Sequence, residues 1–364
     1  MLTAIDLRKP DMVPITDLAL DPPIIEEIAG ICLEGFSFVG GSHGEKAWEN
    51  SKKEVSALIK ACRKLDFDAV NIEDYVLPSQ NYSPKFIDKT TFIDEWGKIL
   101  KTRSDTKTTW WFGGTINTPE DLEGWQPPDP SAPGRMELLE HAIREVKGEM
   151  AVMGYVHIAF QFAWQVRGGL EKFIKDLYLN PTFARKLLDK VFSSSFELAK
   201  MMMDVGVDVL AIGDDYADTH GPLLSPKLFR EYELPYVRAI CNEAKRRGIP
   251  IWKHSDGNLY PIIEDLIDAG ISGLHPIEPP VMDLADVKKR YGHRIFLAGN
   301  VDCRQVLPYG SEEDVRRYVR QCIDSAADGG GYILTSSNSL HANVKVENIY
   351  AMVDEARKYG RYSR

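Results

Sequence analysis

The sequence is poor in cysteine, with five among 364 residues and no C-x-x-C pair. Cys32, Cys62, Cys241, Cys303 and Cys322 are odd in number and widely spaced, which argues against a disulfide framework and for reduced, mostly buried thiols. Cys303 stands beside Gly299-Asn300-Val301-Asp302, closest of the five to candidate chemistry. No apolar run reaches the length of a membrane span. The opening MLTAIDLRKPDMVP lacks a basic stretch leading into an apolar core, so no signal peptide is expected. An excess of positive charge is missing too: 44 Lys and Arg against 54 Asp and Glu give a formal net charge of −10. Phosphate backbones select for basic faces, so the balance argues against nucleic-acid binding. With 44% hydrophobic and 27% charged residues, a soluble, cytoplasmic globular protein is expected, with no membrane partner.

What is present is a rhythm. Short apolar runs alternate with longer amphipathic stretches. The strand candidates are 69–74 (AVNIED), 108–113 (TTWWFG), 151–157 (AVMGYVH), 207–213 (VDVLAIG), 249–254 (IPIWKH), 271–276 (ISGLHP), 295–298 (IFLA) and 332–335 (YILT). Each is followed by enough chain to return. Pro181–Val205 has a helical period, with Asn180 as its expected N-cap; Ser225-Pro226 opens a helix running to Arg247, and Ser311-Glu312-Glu313 opens another. Eight β-then-α units imply an α/β fold of the (β/α)8 TIM-barrel type, whose chemistry lies at the carboxyl ends of the strands. A doubly wound sheet is the runner-up, but AVNIEDY lacks the glycines of a dinucleotide fingerprint. Residues 1–65 read as an N-terminal helical extension, helical over 23–33 and 46–64, and 66–364 as the barrel. Gly124–Gly134 (GWQPPDPSAPG) reads as a loop over the strand-end face.

Polar residues gather where the strands stop: Asp214-Asp215-Tyr216, His254-Ser255-Asp256, His275-Pro276-Ile277-Glu278, Asn300-Val301-Asp302 and Asn338-Ser339-Leu340-His341. His254 and Asp256 are two apart, so on an extended strand end they leave on one side, and Glu278 comes from the next strand. One imidazole and two carboxylates suit Zn²⁺ with an open position, although H-x-D alone fits a hydrogen-bonded structural pair equally well. Asp214 and Asp215 serve either as helix-start carboxylates or as partners for substrate. Asp215 and His341 are the candidate catalytic groups. Glu73, Trp164, Asp214, Tyr216, Asn300 and Asn338 are the candidate substrate-binding residues. Tyr75, Trp110, Trp111, Phe112, Phe160 and Phe162 are further aromatics near strand ends, where core packing competes with ring binding. His157 and His220 are assigned to structure, and Arg167 to a helix start or a substrate carboxylate.

From about Leu170 onward the chain resembles the uroporphyrinogen decarboxylase superfamily. The stretches that carry the resemblance are DVLAIGDDYADTHGPLLSPKLFREYELPYV, GIPIWKHSDGN, GLHPIEP, FLAGNVD and SSNSLHANVKVENIYAMV. It implies a (β/α)8 barrel. The decarboxylases of that superfamily carry an arginine-rich R-Q-A-G-R-Y stretch near the N-terminus, which residues 9–75 do not contain. The corrinoid-dependent methyltransferase branch carries His-x-Cys after the fifth strand and another Cys after the eighth as zinc ligands. The similar cobalamin-independent methionine synthase adds a glutamate one strand on. By that resemblance His254 matches the histidine, Asp256 takes the first Cys position, Glu278 matches the glutamate and Asn338 falls near the last Cys.

Oxygen in place of sulfur gives a harder, more electrophilic metal. Such a site suits an ether oxygen better than a thiol. The resemblance therefore implies the methyltransferase component of an O-demethylase, moving a methyl group from a methoxylated aromatic to a corrinoid protein. Asp215–Gly221 (DYADTHG) lacks the D-x-H-x-x-G spacing of a corrinoid site, so the cobalamin would arrive on that partner. A uroporphyrinogen decarboxylase-like decarboxylase is the alternative, and a homodimer is left open.

Overall fold

The computed structural model describes residues 1–33, 45–74, 77–103 and 105–362. Seven parallel strands form the central sheet: β1 (Ala69–Glu73), β6 (Ala151–Val156), β7 (Val209–Ile212), β8 (Ile251–His254), β9 (Gly273–His275), β10 (Phe296–Val301) and β11 (Tyr332–Ser336), in that order across the sheet. The four strands between β1 and β6 make a separate antiparallel sheet: β2 (Lys85–Phe86), β3 (Thr91–Ile93), β4 (Lys98–Arg103) and β5 (Thr108–Gly114). Helices follow the parallel strands, among them Pro181–Val205, Glu312–Ala326 and Val346–Tyr359. This is a TIM-barrel-like α/β fold with N-terminal helices at Pro22–Ala29 and Glu45–Lys64.

The eightfold count survives with one member exchanged. Thr108–Gly113 is a strand, but it pairs antiparallel with Lys98–Arg103 and contributes nothing to the barrel. Apolar and aromatic composition marks a strand without naming its partner. Between β11 and β1 stands the extended chain around Ile15. Leu334 N–H donates to Pro14 O at 2.9 Å, and Asp68 N–H donates to Ile15 O at 2.7 Å. Ile15 pairs in parallel with Leu334, and Leu20 with Leu340. Pro14 has no N–H to give, so only isolated bridges form, and the segment carries no strand-length alternation to be read. Ile15 is fully buried. Ile15→Ala is expected to lower the unfolding free energy by about 2–4 kcal/mol, read by urea denaturation.

Along each strand every second side chain enters the barrel. That interior cluster comprises Met153 and Tyr155 from β6, Val209 and Ala211 from β7, Trp252 from β8, Phe296 and Ala298 from β10 and Ile333 from β11. Ala4 and Ile5, in the short helix Leu2–Ile5, pack into the same cluster and plug the end where the strands begin. The opposite end is left for chemistry.

Local signals explain most helix ends. Ser311 and Asp314 form a reciprocal capping box, and the Ser225 side chain accepts from Leu228 N–H. The expected helix from Pro226 to Arg247 divides into Pro226–Tyr232 and Leu234–Arg247, because Pro235 lacks an N–H and its ring cannot pass the carbonyl four residues back. Asn180 precedes its helix without a side-chain cap; its amide donates to Asp176 instead. The Pro-rich loop is tied to the helix Pro181–Val205, with Lys190 donating to Trp125 O and Ser194 to Pro128 O.

The antiparallel sheet is mounted on the strand-end face. Ile116 N–H donates to Val166 O, and Trp111 Nε1 to Gln165 O, at the end of the helix Phe160–Val166 that follows β6. Gly114 permits this approach: a Cβ there would lie 2.2 Å from two helix carbonyl oxygens.

Candidate metal centre at the strand ends

His254 and His275 are the last residues of β8 and β9 and lie in register. Their Nδ1 atoms are 2.9 Å apart. Burial pushes His254 down to about 3 and His275 well below the ordinary histidine range. Both rings are therefore neutral at pH 7, and one donates to the other. The remaining nitrogen of His254, Nε2, faces Asp215 Oδ1 at 3.7 Å. Asp215 follows β7 in the loop, and Asp256 lies two residues beyond His254. One ligand atom from each of Asp215, His254 and Asp256 comes within 4.8 Å of the others.

The two carboxylates lie close to each other, with the Asp215 side chain 40% exposed at the mouth. Asp256 N–H donates to Asp215 Oδ1 at 3.0 Å. Asp256 Oδ2 accepts from Asn338 Nδ2 at 2.6 Å, while Asp256 Oδ1 is buried without a partner. Burial, then the charges of Asp215 and Glu278, raise the Asp256 pKa. A buried carboxylate facing another carboxylate costs free energy unless a proton or cation compensates it. The orphaned oxygen, a neutral imidazole nitrogen and a second carboxylate fit a divalent ion, and an N,O donor set of this kind suits Zn²⁺ among borderline metals. His275 against the far nitrogen of His254 and Asn338 against Asp256 are the outer partners that fix such ligands in orientation.

Beneath the cluster lies a buried cation. Lys253 Nζ donates to Gly213 O, Asp214 O and His254 O at 2.6–2.8 Å, so one ammonium ties the ends of β7 and β8 together. Desolvation lowers its pKa to about 8. Lys253→Met would leave three buried carbonyls without donors, and about 3–5 kcal/mol of stability is expected to be lost, as a lower midpoint in urea at pH 7.

The structure sorts the residues singled out in sequence. Glu278 lies near enough to raise the Asp256 pKa, yet one oxygen accepts from Gly257 N–H and the other pairs with Arg304. Asp215, expected as a catalytic group, brings a carboxylate oxygen within 4.8 Å of the ligand atoms of His254 and Asp256, where Glu278 was expected. Asp214 is fully buried, and its Oδ2 accepts from the N–H groups of Ala159 and Phe160 at the start of a helix, the capping alternative of its two readings. Tyr216 is core, packed on Phe160 and Phe229 under the Lys253 ammonium. Asn300 is buried and donates to Ile277 O. His341 has both ring nitrogens engaged, one with Cys303 O at 2.7 Å and one with Asn343 N–H. Asn338 serves the metal cluster through Asp256. Glu73 closes β1 facing a one-water-sized cavity with Asp17 and Asn71.

Among the aromatics, Phe160 and Phe162 are core, Trp164 is half-buried against Trp111, and Trp110 and Phe112 are exposed. Tyr75 lies outside the described residues. His157 hydrogen-bonds to Asp74, His220 is on the surface and Arg167 pairs with Asp176, all structural roles. Cys62, Cys241, Cys303 and Cys322 are buried and Cys32 is exposed.

Sequence reasoning missed three members of the site: His275, Lys253 and Tyr155. His275 ends its strand as His254 does, and that shared register was the available signal. Lys253 precedes His254 on the strand, and its burial could not be read from sequence. Tyr155 is 4% exposed at the top of the barrel interior. Burial and the charges of Glu73 and Asp215 hold its phenol well above the ordinary tyrosine range, so it is an uncharged hydroxyl.

Comparison with known proteins shows the family. Residues 103–359 match the family described as Uroporphyrinogen decarboxylase (URO-D). The chain is 27% identical over 233 residues to the uroporphyrinogen decarboxylase of Shewanella loihica, covering 60% of this chain and 62% of that one. It is 26% identical over 264 residues to that of Mannheimia succiniciproducens, covering 69% and 71%. The chain thus spans about three fifths to seven tenths of the relatives it matches. In fold it is similar to a methyltransferase from Methanosarcina mazei, with TM-score 0.74 and 20% identity over 98% of this chain and 97% of that one. A B12-independent methionine synthase from Shewanella sp. W3-18-1, solved with selenomethionine, is more distant, at TM-score 0.54 and 11% identity over 95% of this chain and 98% of that one. The family match runs unbroken through β7, β8 and β11, the strands whose ends carry Asp215, His254, Asp256 and Asn338, and the chain belongs to the uroporphyrinogen decarboxylase family.

Proposed function

We propose that this protein is a zinc-dependent methyltransferase that moves a methyl group from a methoxylated aromatic to the cobalt of a separate corrinoid protein. The observation that carries the reading is the oxygen-rich donor set Asp215–His254–Asp256, with a buried, unpartnered carboxylate oxygen. A divalent ion bound there would supply Lewis-acid chemistry, drawing electron density from an ether oxygen. The chain's own residues do the rest. His254 presents a neutral nitrogen because burial, with the charges of Lys253 and His157, keeps its ring unprotonated, and His275 meets its other nitrogen. Asn338 fixes the rotamer of Asp256. Lys253 locks the turn that delivers Asp215. The corrinoid is a substrate in this scheme, brought by its carrier to the strand-end face.

The curated relatives named as decarboxylases favour a second reading, decarboxylation of a carboxylated tetrapyrrole. That reading asks for an arginine-lined mouth, and residues 9–75 lack the arginine-rich stretch. One assay separates the two. Zinc-loaded protein is incubated with cob(I)alamin and a panel of methoxyarenes, and separately with uroporphyrinogen. Methylcobalamin and free phenol, with about one zinc per chain, are the expected products. Carbon dioxide from uroporphyrinogen with no methyl transfer would establish the decarboxylase instead.

A further inference from the structure

Tyr155 is the last residue of the interior cluster on β6 before the chain leaves the sheet at Val156. Its ring stands edge-on to His157 at 5.2 Å and 6.4 Å from the ring of His254, the nitrogen ligand of the cluster. Across from it on β7 stands a small residue, its register partner Ala211, and Gly213 follows the strand. A Cβ on Gly213 would lie 2.1 Å from the Tyr155 hydroxyl oxygen, so the glycine makes the space that this hydroxyl occupies. Gly213 immediately precedes Asp214-Asp215. The hydroxyl therefore lies at the level where the metal ligands begin. The residue is 96% buried by the complement of its 4% exposure. Three neighbouring side chains are committed elsewhere: Asn338 to Asp256, Glu278 to Gly257 and Arg304, and Lys253 to three carbonyls. The Tyr155 hydroxyl makes no side-chain hydrogen bond among the described residues, and its ring faces His157 and His254.

We propose that Tyr155 donates a hydrogen bond to the aryl oxygen of the substrate and steadies the negative charge that gathers there as the methyl group departs. The inference rests on the methyltransferase reading and gives the aryl methyl ether of that reading a partner for its oxygen, which leaves as an aryloxide. The step balances as a displacement. The O–CH3 bond breaks with its electron pair left on the aryl oxygen. Cobalt(I) of the corrinoid supplies both electrons of the new cobalt–carbon bond and becomes cobalt(III). Tyrosine keeps its proton, and the aryloxide takes one from solvent after release. A donor placed before reaction costs no reorganisation when the charge appears, and one such donor contributes on the order of 10²–10³ in rate.

The test is Tyr155→Phe, which removes the hydroxyl and keeps the ring. The substrates are ring-substituted anisoles and the acceptor is free cob(I)alamin. The rate should fall about 100-fold with little change in KM, while zinc content and melting temperature stay at wild-type values. The decisive readout is the slope of log kcat against the pKa of the departing phenol. It should steepen in the variant, because poor leaving groups depend most on the lost donor. Phenol binding, measured by calorimetry without turnover, should weaken about tenfold. An unchanged slope and unchanged phenol affinity would overturn the role of Tyr155, even with methyl transfer intact. Loss of zinc along with rate would also overturn it, because the hydroxyl would then serve the fold. Wild-type protein that transfers no methyl from any anisole defeats the parent reading instead, and the calorimetric comparison still decides whether this hydroxyl meets an aryl oxygen.

Discussion

His254→Ala should abolish metal binding and methyl transfer while leaving the barrel folded. His254 supplies the only nitrogen in the donor set, and its ring packs between Tyr155 and His275 near the open end of the barrel. Removing it leaves Asp215 and Asp256 without their third partner. Two close carboxylates alone retain a cation poorly in the presence of competing chelators. Lewis-acid stabilisation is a matter of several kcal/mol, so activity should fall by on the order of 10³-fold or more. Metal analysis after dialysis, near-ultraviolet circular dichroism and the methoxyarene assay together decide the matter. Full zinc occupancy and full activity in the variant would show that the ion binds elsewhere.

The second large effect concerns ligand chemistry. Asp256→Cys should keep the ion, since thiolate is a good zinc ligand, and should still lose much of the ether cleavage. A softer donor feeds more electron density to the metal and weakens its pull on oxygen. A loss of about 10–100-fold is expected, the range seen when a metal's surroundings are changed. The position is suited to the trial because Asp256 Oδ1 is unpartnered and only Oδ2 is used by Asn338. Asn338 would lose its acceptor, so Asn338→Ala measured alongside separates that contribution. Equal ether cleavage in the Cys variant would mean that Asp256 stands behind the ligands.

Much of this was legible in the sequence, for identifiable reasons. Parallel strands buried on both faces read as apolar runs, and seven of the eight expected here are in the sheet. The eighth could not be read, because Ile15 and Leu20 meet the sheet through isolated bridges, whereas TTWWFG has strand composition and belongs to another sheet. His254 and Asp256 were found together because a spacing of two survives folding unchanged. Asp215 and Glu278 could not be ranked from sequence. Which carboxylate faces the histidine depends on the turn after β7 and on Arg304 drawing Glu278 away. Aromatics were the weakest inference, since burial of a ring says nothing about which side of the strand it takes.

The wedge of chain around Ile15 and Asp17 sets the timing of synthesis. Asp17 accepts from the N–H and the hydroxyl of Ser336, a partner 319 residues further along the chain. At a translation rate of about 5–20 residues per second, the N-terminal stave waits some tens of seconds on the ribosome before its neighbour exists. Until then the edge of this segment that will meet β11 is an open strand edge in a nascent chain, the kind of surface that pairs with the wrong partner. Closure of the barrel therefore comes late in synthesis, after β11 has emerged, and production of this protein should respond to holdase chaperones and to slower induction more than to changes at its metal site.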